Sequence, residues 1–322
     1  MVVMAGLKVM RMVVGLAAMA SALPALPRLN ERALKMYELA ERQVTATGLP
    51  AGLTDVDILQ FALTLENLET AFYQQGFAKF PDSDFAALGL SQQDITNLKM
   101  VGMTEQTHVS TLNTAIAATG TQPVAMCTYN FNFTTAAAMV ATANVLENIG
   151  VSAYLGAAPL VKSPAVLTVA AEIVTVEARH QTFIRTASKI TAVPSAFDTP
   201  LGIRNVFSLA APFITSCPTG SNLVITPFPP VAMAAAASGS SAVVAGSTLQ
   251  LQTAAQGAMA CAFTNGGQTG GTAFTTFANG ACTVPQGLAG DVYVNLVSSM
   301  PAMGTALTDD ITVAGPMVMQ IS

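Results

Sequence analysis

Glu105-Gln106-Thr107-His108 and Glu177-Ala178-Arg179-His180 are the same short pattern written twice. Each is a Glu-x-x-His inside a segment of helical character. Residues i and i+3 lie on one helix face about a turn apart, so each pair aims a carboxylate and an imidazole at one point. The chain has only two histidines, and both stand three residues after a glutamate. With nine glutamates in 322 residues, chance would produce this about once in a thousand. Two Glu-x-x-His helices, with one glutamate from each of two further helices, make the ligand set of a carboxylate-bridged di-iron or di-manganese bundle. The pattern therefore demands two more glutamates on apolar helix faces.

Upstream, Asp55 or Asp57 caps a helix that runs to about Lys79. Ile58, Phe61, Leu65, Leu68 and Phe72 recur in it at helical spacing, and Glu66 falls within that apolar set. An unpaired carboxylate there would cost several kcal/mol. A second helix opens at residues 89–91, carries Glu105 and His108, and fades at Gly120. Residues 121–131, with Pro123 and Cys127, are too long for a tight turn and suit a crossover along a bundle. A third helix, from Thr134 to about Ala157, holds Glu147 among Val140, Ala143, Leu146 and Val151. A fourth, capped by Ser163, runs to about Ile190 with Glu177 and His180. An internal repeat supports the set. Leu65-Glu66-Asn67-Leu68 with Tyr73 matches Leu146-Glu147-Asn148-Ile149 with Tyr154. Helices one and two thus read as a diverged copy of helices three and four, related by a pseudo-twofold axis.

The expected metal ligands are Glu66, Glu105, His108, Glu147, Glu177 and His180, holding two Fe or Mn ions. A lone helical glutamate is ordinarily a solvated residue; six residues in this order are a different matter. Glu105 and Glu177 are the expected bridges. Four carboxylates carry four negative charges, which two divalent ions balance, and that balance permits burial. Glu69 reads equally as an outer partner of Glu66 or as half of a surface ion pair, and Glu172 reads as surface. Tyr73 and Tyr154 share a face with Glu66 and Glu147, as hydrogen-bond donors to them or redox-active phenols, but plain core tyrosines are the preferred reading.

With these residues in place, the sequence resembles the fungal and bacterial ferritin-like proteins grouped with plant desiccation-related and fungal stress-response proteins. The resemblance covers roughly residues 54–218. It includes Thr199-Pro200-Leu201-Gly202-Ile203-Arg204-Asn205-Val206-Phe207, continuing to Phe213, as a short fifth helix. It implies an all-α ferritin-like four-helix bundle with a dinuclear site.

The flanks read differently. Residues 1–22 have the form of a secretory signal, with Lys8 and Arg11, an apolar stretch from Met12 to Met19, and small residues at Ala20-Ser21-Ala22. A mitochondrial transit peptide is the competitor, but arginines are sparse. Residues 23–53 form a charged segment and a Gly/Pro-containing linker. The bundle occupies residues 54–218, and the composition breaks at 217–222 as at an exposed linker between separable domains. Residues 222–322 alternate as six or seven short strands between Gly-rich turns, the pattern of a small all-β sandwich domain. None of the four cysteines forms a Cys-x-x-Cys, so two disulfides are expected. Cys261 and Cys282, on neighbouring strands, pair, leaving Cys127 for Cys217. Asn132-Phe133-Thr134 is an N-glycosylation acceptor.

Composition closes off some classes. Only 10% of residues are charged and the net charge is −5, with no basic stripe, so no nucleic-acid partner is expected. No apolar run of about 18 residues follows the leader, so no transmembrane anchor remains after its removal. The first functional reading is a secreted or cell-wall redox protein, an oxidase, ferroxidase or peroxide-consuming enzyme acting on O2 or peroxide in stress response. The second is a non-catalytic surface protein that uses the bundle as scaffold and the β-domain for binding. Iron storage, the third, requires a closed cage that an appended β-domain would obstruct.

Overall fold

The computed structural model describes residues 53–219, 221, 225–234 and 243–321. The expected leader and most of the segment behind it lie outside these residues. Six α-helices come first: α1 (Asp55–Lys79), α2 (Asp82–Ala87), α3 (Gln92–Ala117), α4 (Ala136–Ala157), α5 (Pro164–Ala187) and α6 (Ile203–Ala210). Helix α2, in the α1–α3 connection, is additional to the sequence reading. Helix α5 ends three residues short of Ile190, where Lys189 takes a positive φ.

Capping fixes where the helices begin. Thr54 caps α1 and Asp57 returns the bond to the Thr54 amide, a reciprocal box that Ser91 and Asp94 repeat at α3. Asp55, one of the two expected caps, has another task. Its carboxylate accepts the Lys162 and Ser163 amides at 2.8 and 2.7 Å, tying the start of α1 to the cap of α5.

Helices α1 and α3 pack together, as do α4 and α5. On α3 the buried residues form one stripe: Ile95, Leu98, Val101, Glu105, His108, Leu112 and Ile116. On α5 the stripe runs Ile173, Glu177, His180 and Ile184. The acids and imidazoles thus occupy a layer across the bundle. An apolar cluster with Leu63, Leu112, Ile116 and Ile173 closes one side, and another with Phe72, Ile95, Leu98 and Ile184 closes the other.

The crossover between α3 and α4 travels the length of α1. Gln60, near the start of α1, bonds Gln122 and Val124, while Lys79 at its end bonds the Phe133 carbonyl. Phe131 and Phe133 pack edge-on against Phe72. Strand β1 (Thr128–Tyr129) pairs with β2 (Ile214–Ser216) beside the Cys127–Cys217 disulfide, so the crossover is pinned to the end of the helical region.

The C-terminal region contains β3 (Ala232–Met233), β4 (Thr248–Gln252), β5 (Ala260–Thr264), β6 (Thr272–Thr276), β7 (Ala281–Thr283), β8 (Gly290–Val297) and β9 (Thr312–Ile321). They form two antiparallel sheets, ordered β3-β4-β7 and β6-β5-β8-β9. Leu249 and Leu251 of the first face Phe263, Val292, Val294 and Leu296 of the second. Cys261 and Cys282 do pair, but across the core from β5 to β7 rather than between neighbours in one sheet.

Strand β8 is buried along its whole length because both its faces are covered. Its second face meets the bundle. Tyr293 lies in the bundle's core cluster, and its hydroxyl meets Ser152 Oγ at 2.7 Å and Asn148 Nδ2 at 2.8 Å. Asp291 accepts from Arg185 at 3.0 Å and from Gln181 at 3.1 Å. The two regions therefore share a buried, hydrogen-bonded interface, with which the separability expected from composition has to contend.

Candidate metal centre

Helical spacing brings all six expected residues to one place. Glu105, Glu147 and Glu177 are fully buried, Glu66 is 1% exposed, and His108 and His180 are 8% and 7% exposed. Ligand-type atoms of Glu66, Glu105, His108 and Glu177 lie within 4.8 Å of one another, as do those of Glu105, Glu147, Glu177 and His180. Glu105 and Glu177 belong to both groups.

The two rings stand 6.2 Å apart, centroid to centroid. His108 Nδ1 is 3.3 Å from Glu66 Oε2, 3.2 Å from Glu105 Oε2 and 3.1 Å from Glu177 Oε1. His180 Nδ1 is 2.8 Å from Glu105 Oε1 and 3.2 Å from Glu147 Oε2. One ring nitrogen carries at most one proton, which cannot serve three oxygens well. Accordingly Glu105 Oε1 and both oxygens of Glu177 are buried with no donor beyond these two shared nitrogens. These spacings suit co-ligands. Bonds of about 2.1 Å at right angles put neighbouring ligand atoms about 3.0 Å apart.

The far side of His180 strengthens this. Thr104 Oγ1 donates to the Val101 carbonyl at 2.7 Å, so its oxygen accepts from His180 Nε2 at 2.9 Å. The opposite nitrogen, Nδ1, then turns toward Glu105 and Glu147 either a lone pair or a second proton. A bare lone pair facing two carboxylates repels them; a proton or a metal ion must stand between.

The electrostatics show the strain of carrying only protons. Burial pushes the Glu66 carboxyl up to about 7 despite His108. Burial and the neighbouring acids drive Glu177 well above the ordinary range and raise Glu147 also. Glu105 goes the other way: burial opposes its charge, but hydrogen bonds from both imidazoles hold it at about 2. Burial likewise opposes the imidazolium charges, yet the surrounding carboxylates raise His108 to about 12 and His180 to about 10.

Two tyrosines complete the symmetry. Tyr154 donates to Glu66 Oε1 at 2.6 Å and Tyr73 donates to Glu147 Oε1, each reaching the glutamate of the opposite repeat. They are core residues that also orient acids, which corrects the preference for plain core tyrosines. Glu69 is buried, 4% exposed, so the surface-pair alternative falls. Glu172 is exposed, as expected. Thr104 was missed: its hydroxyl serves a histidine 76 residues away, and no local spacing announces that.

A family model described as a ferritin-like domain matches residues 54–189. These residues are a ferritin-like domain. The match begins at the Thr54 cap and ends just past α5, so it holds every residue of the cluster. Among curated proteins, the chain is similar to Protein rds1 of Schizosaccharomyces pombe (strain 972 / ATCC 24843), 26% identical over 171 residues. That alignment covers 53% of this chain and 42% of rds1, so the chain spans less than half the length of this relative. The ferritin-like domain is followed by a β-rich region, and two disulfides join the chain's four cysteines. No helix among the described residues is long and apolar enough to cross a membrane.

Proposed function

We propose that the ferritin-like domain holds a carboxylate-bridged pair of transition ions, Fe or Mn, and works as a secreted redox protein. The observation that carries this reading is that Glu105 and Glu177, fully buried and common to both ligand groups, have no donors for their oxygens but the two shared imidazole nitrogens. Burying such oxygens without donors or cations is costly. Glu105 and Glu177 would bridge the ions, and Glu66 with His108 and Glu147 with His180 would cap them. A redox-active pair there would exchange electrons with O2 or peroxide, as an oxidase, ferroxidase or peroxide-consuming enzyme.

The chain's own residues prepare the place. Tyr154 and Tyr73 each fix one oxygen of a terminal glutamate, leaving the other free to ligate. Thr104 holds the His180 ring with Nδ1 inward. An apolar cavity of about 30 Å³, lined by Ile58, Leu59, Leu112, Val166 and Ala170, backs onto Tyr154 and suits a small uncharged oxidant. Two disulfides support an oxidising, extracytoplasmic compartment. The resemblance to stress-response and desiccation-related proteins supplies the setting.

The test is reconstitution of the full chain with Fe²⁺ or Mn²⁺, followed by elemental analysis and O2 or peroxide consumption. Two ions per chain are expected. His180→Ala should lose one ion, and Glu105→Ala should disturb both. Less than about half an equivalent in wild type would overturn the metal reading. Full loading without turnover would overturn the redox role and leave the β-domain as the working part.

A further inference from the structure

The pseudo-twofold axis pairs Glu66 with Glu147 and Tyr73 with Tyr154, and on the same offset it pairs Glu69 with Gly150. This is where the symmetry fails. Glu69 is 4% exposed, and the charges pressing on it are, in order, those of Glu177, Glu105, Glu66 and Glu147.

Gly150 has an ordinary helical backbone, where glycine only weakens a helix. Its role lies in its missing side chain. A Cβ there would stand 3.1 Å from Glu69 Oε1 and 3.1 Å from Glu177 Oε2, tighter than ordinary packing allows. The two oxygens thus share the space left open by Gly150, no more than twice that distance apart. Glu177 brings to this spot two fully buried oxygens with no donor but the shared His108 nitrogen. Two carboxylates side by side in a dry interior repel unless a proton or a metal ion joins them.

We propose that Glu69 is a seventh ligand of the centre and its fifth carboxylate, joining Glu177 on one divalent transition ion and making the two ion positions unequal. The inference rests on the dinuclear reading above. The position that Glu69 joins then has more negative charge and more oxygen ligands than the other, although the repeat would otherwise make them alike. The glycine at 150 is the complementary half of the device: a side chain on α4 would crowd the acid that α1 supplies.

Stepwise Mn²⁺ titration of the metal-free full chain, read by calorimetry with circular dichroism as the fold control, tests it. Wild type should bind two ions with distinct affinities. Glu69→Gln keeps the volume and removes the charge, and should weaken one binding step about tenfold or more while the other stays within about threefold. Gly150→Ala, with Glu69 intact, should weaken the same step more and the other step less, because it displaces Glu69 and also Glu177, which both positions share. It serves as the second route should Glu69→Gln not fold. Two ions bound by either folded variant with unchanged affinities, or with an equal fall at both steps, would overturn the inference and leave the six-residue centre standing. No Mn²⁺ uptake by wild type would overturn both.

Discussion

A glutamate aimed at a metal needs one oxygen held still, and in this chain a tyrosine from the opposite repeat does the holding. The Tyr154 hydroxyl bonds Glu66 Oε1 and leaves Oε2 turned toward His108. Tyr154→Phe should therefore fold normally, since the ring still fills its place, yet bind the first ion about 10- to 100-fold more weakly. Mn²⁺ titration beside a melting curve checks this, and unchanged affinity would show that the phenol is packing alone. The six candidate ligands were legible because two rare residue types recurred at a helical interval. The partners of those ligands were not. Seven-residue spacing puts Tyr73 on the face of Glu66, but nothing in the spacing says that it bonds Glu147, 74 residues away. Asp291 is one of only three charged residues in 222–322. That isolation is a signal which the sequence reading passed over.

At the scale of elements, α4 does the most with the fewest atoms. It is buried nearly all round, since α5, α1, α6 and Tyr293 each claim a face. Its apolar surface is correspondingly broad, and Val140, Ala143, Leu146 and Val151 around Glu147 mark it as a helix in the sequence. Gly156 marks the closest approach: a Cβ there would overlap the carbonyl of Leu201, whose amide bonds the Ser152 carbonyl at 3.0 Å. Gly156→Ala would gain roughly 0.5–1 kcal/mol of helix preference and lose about 1–3 kcal/mol to overpacking. We expect net destabilisation of about 1–2 kcal/mol in urea unfolding. A variant as stable as wild type would mean that residues 199–202 yield freely. Strands were easier to place than to assemble. Alternation over Thr248–Thr253 and Val292–Leu296 locates β4 and β8 to within two residues, but not the sheet to which each belongs, because pairing order is a long-range property.

For the whole molecule, the buried acids make a sign prediction about pH. Glu66, Glu69, Glu147 and Glu177 all titrate above their ordinary 4.5 when folded. Above pH 4.5 the folded, metal-free chain thus holds protons that the unfolded chain has released, and its stability falls as pH rises. His108 and His180, raised above 6.5, act in the same sense: their contribution is complete below 6.5 and fades toward 12 and 10. Glu105 alone opposes, its contribution fading only as pH drops from 4.5 toward 2. Melting temperatures of metal-free protein should decline from pH 5 to 8, while ion affinity rises over the same range because ions displace protons. Metal-free stability that climbed with pH would contradict the arrangement. The interface makes a second global prediction. Arg185 and Asp291 have side chains 4% and 6% exposed and lie 3.0 Å apart. Asp291→Ala should cost about 3–5 kcal/mol by stranding a buried guanidinium. A loss below about 1 kcal/mol, in the range of an exposed pair, would show the two domains to be only loosely joined.

Tyr293 enters the bundle 141 residues after Ser152, the position it seats against. A chain made from its N-terminus has therefore produced every candidate ligand before it owns the residue that backs α4. Until β8 arrives, Ser152 and Asn148 lack the hydroxyl they bond, and Asn148 is the immediate neighbour of Glu147. Order of synthesis thus becomes a clock: the wall of α4 beside the candidate centre is backed only in the finished chain.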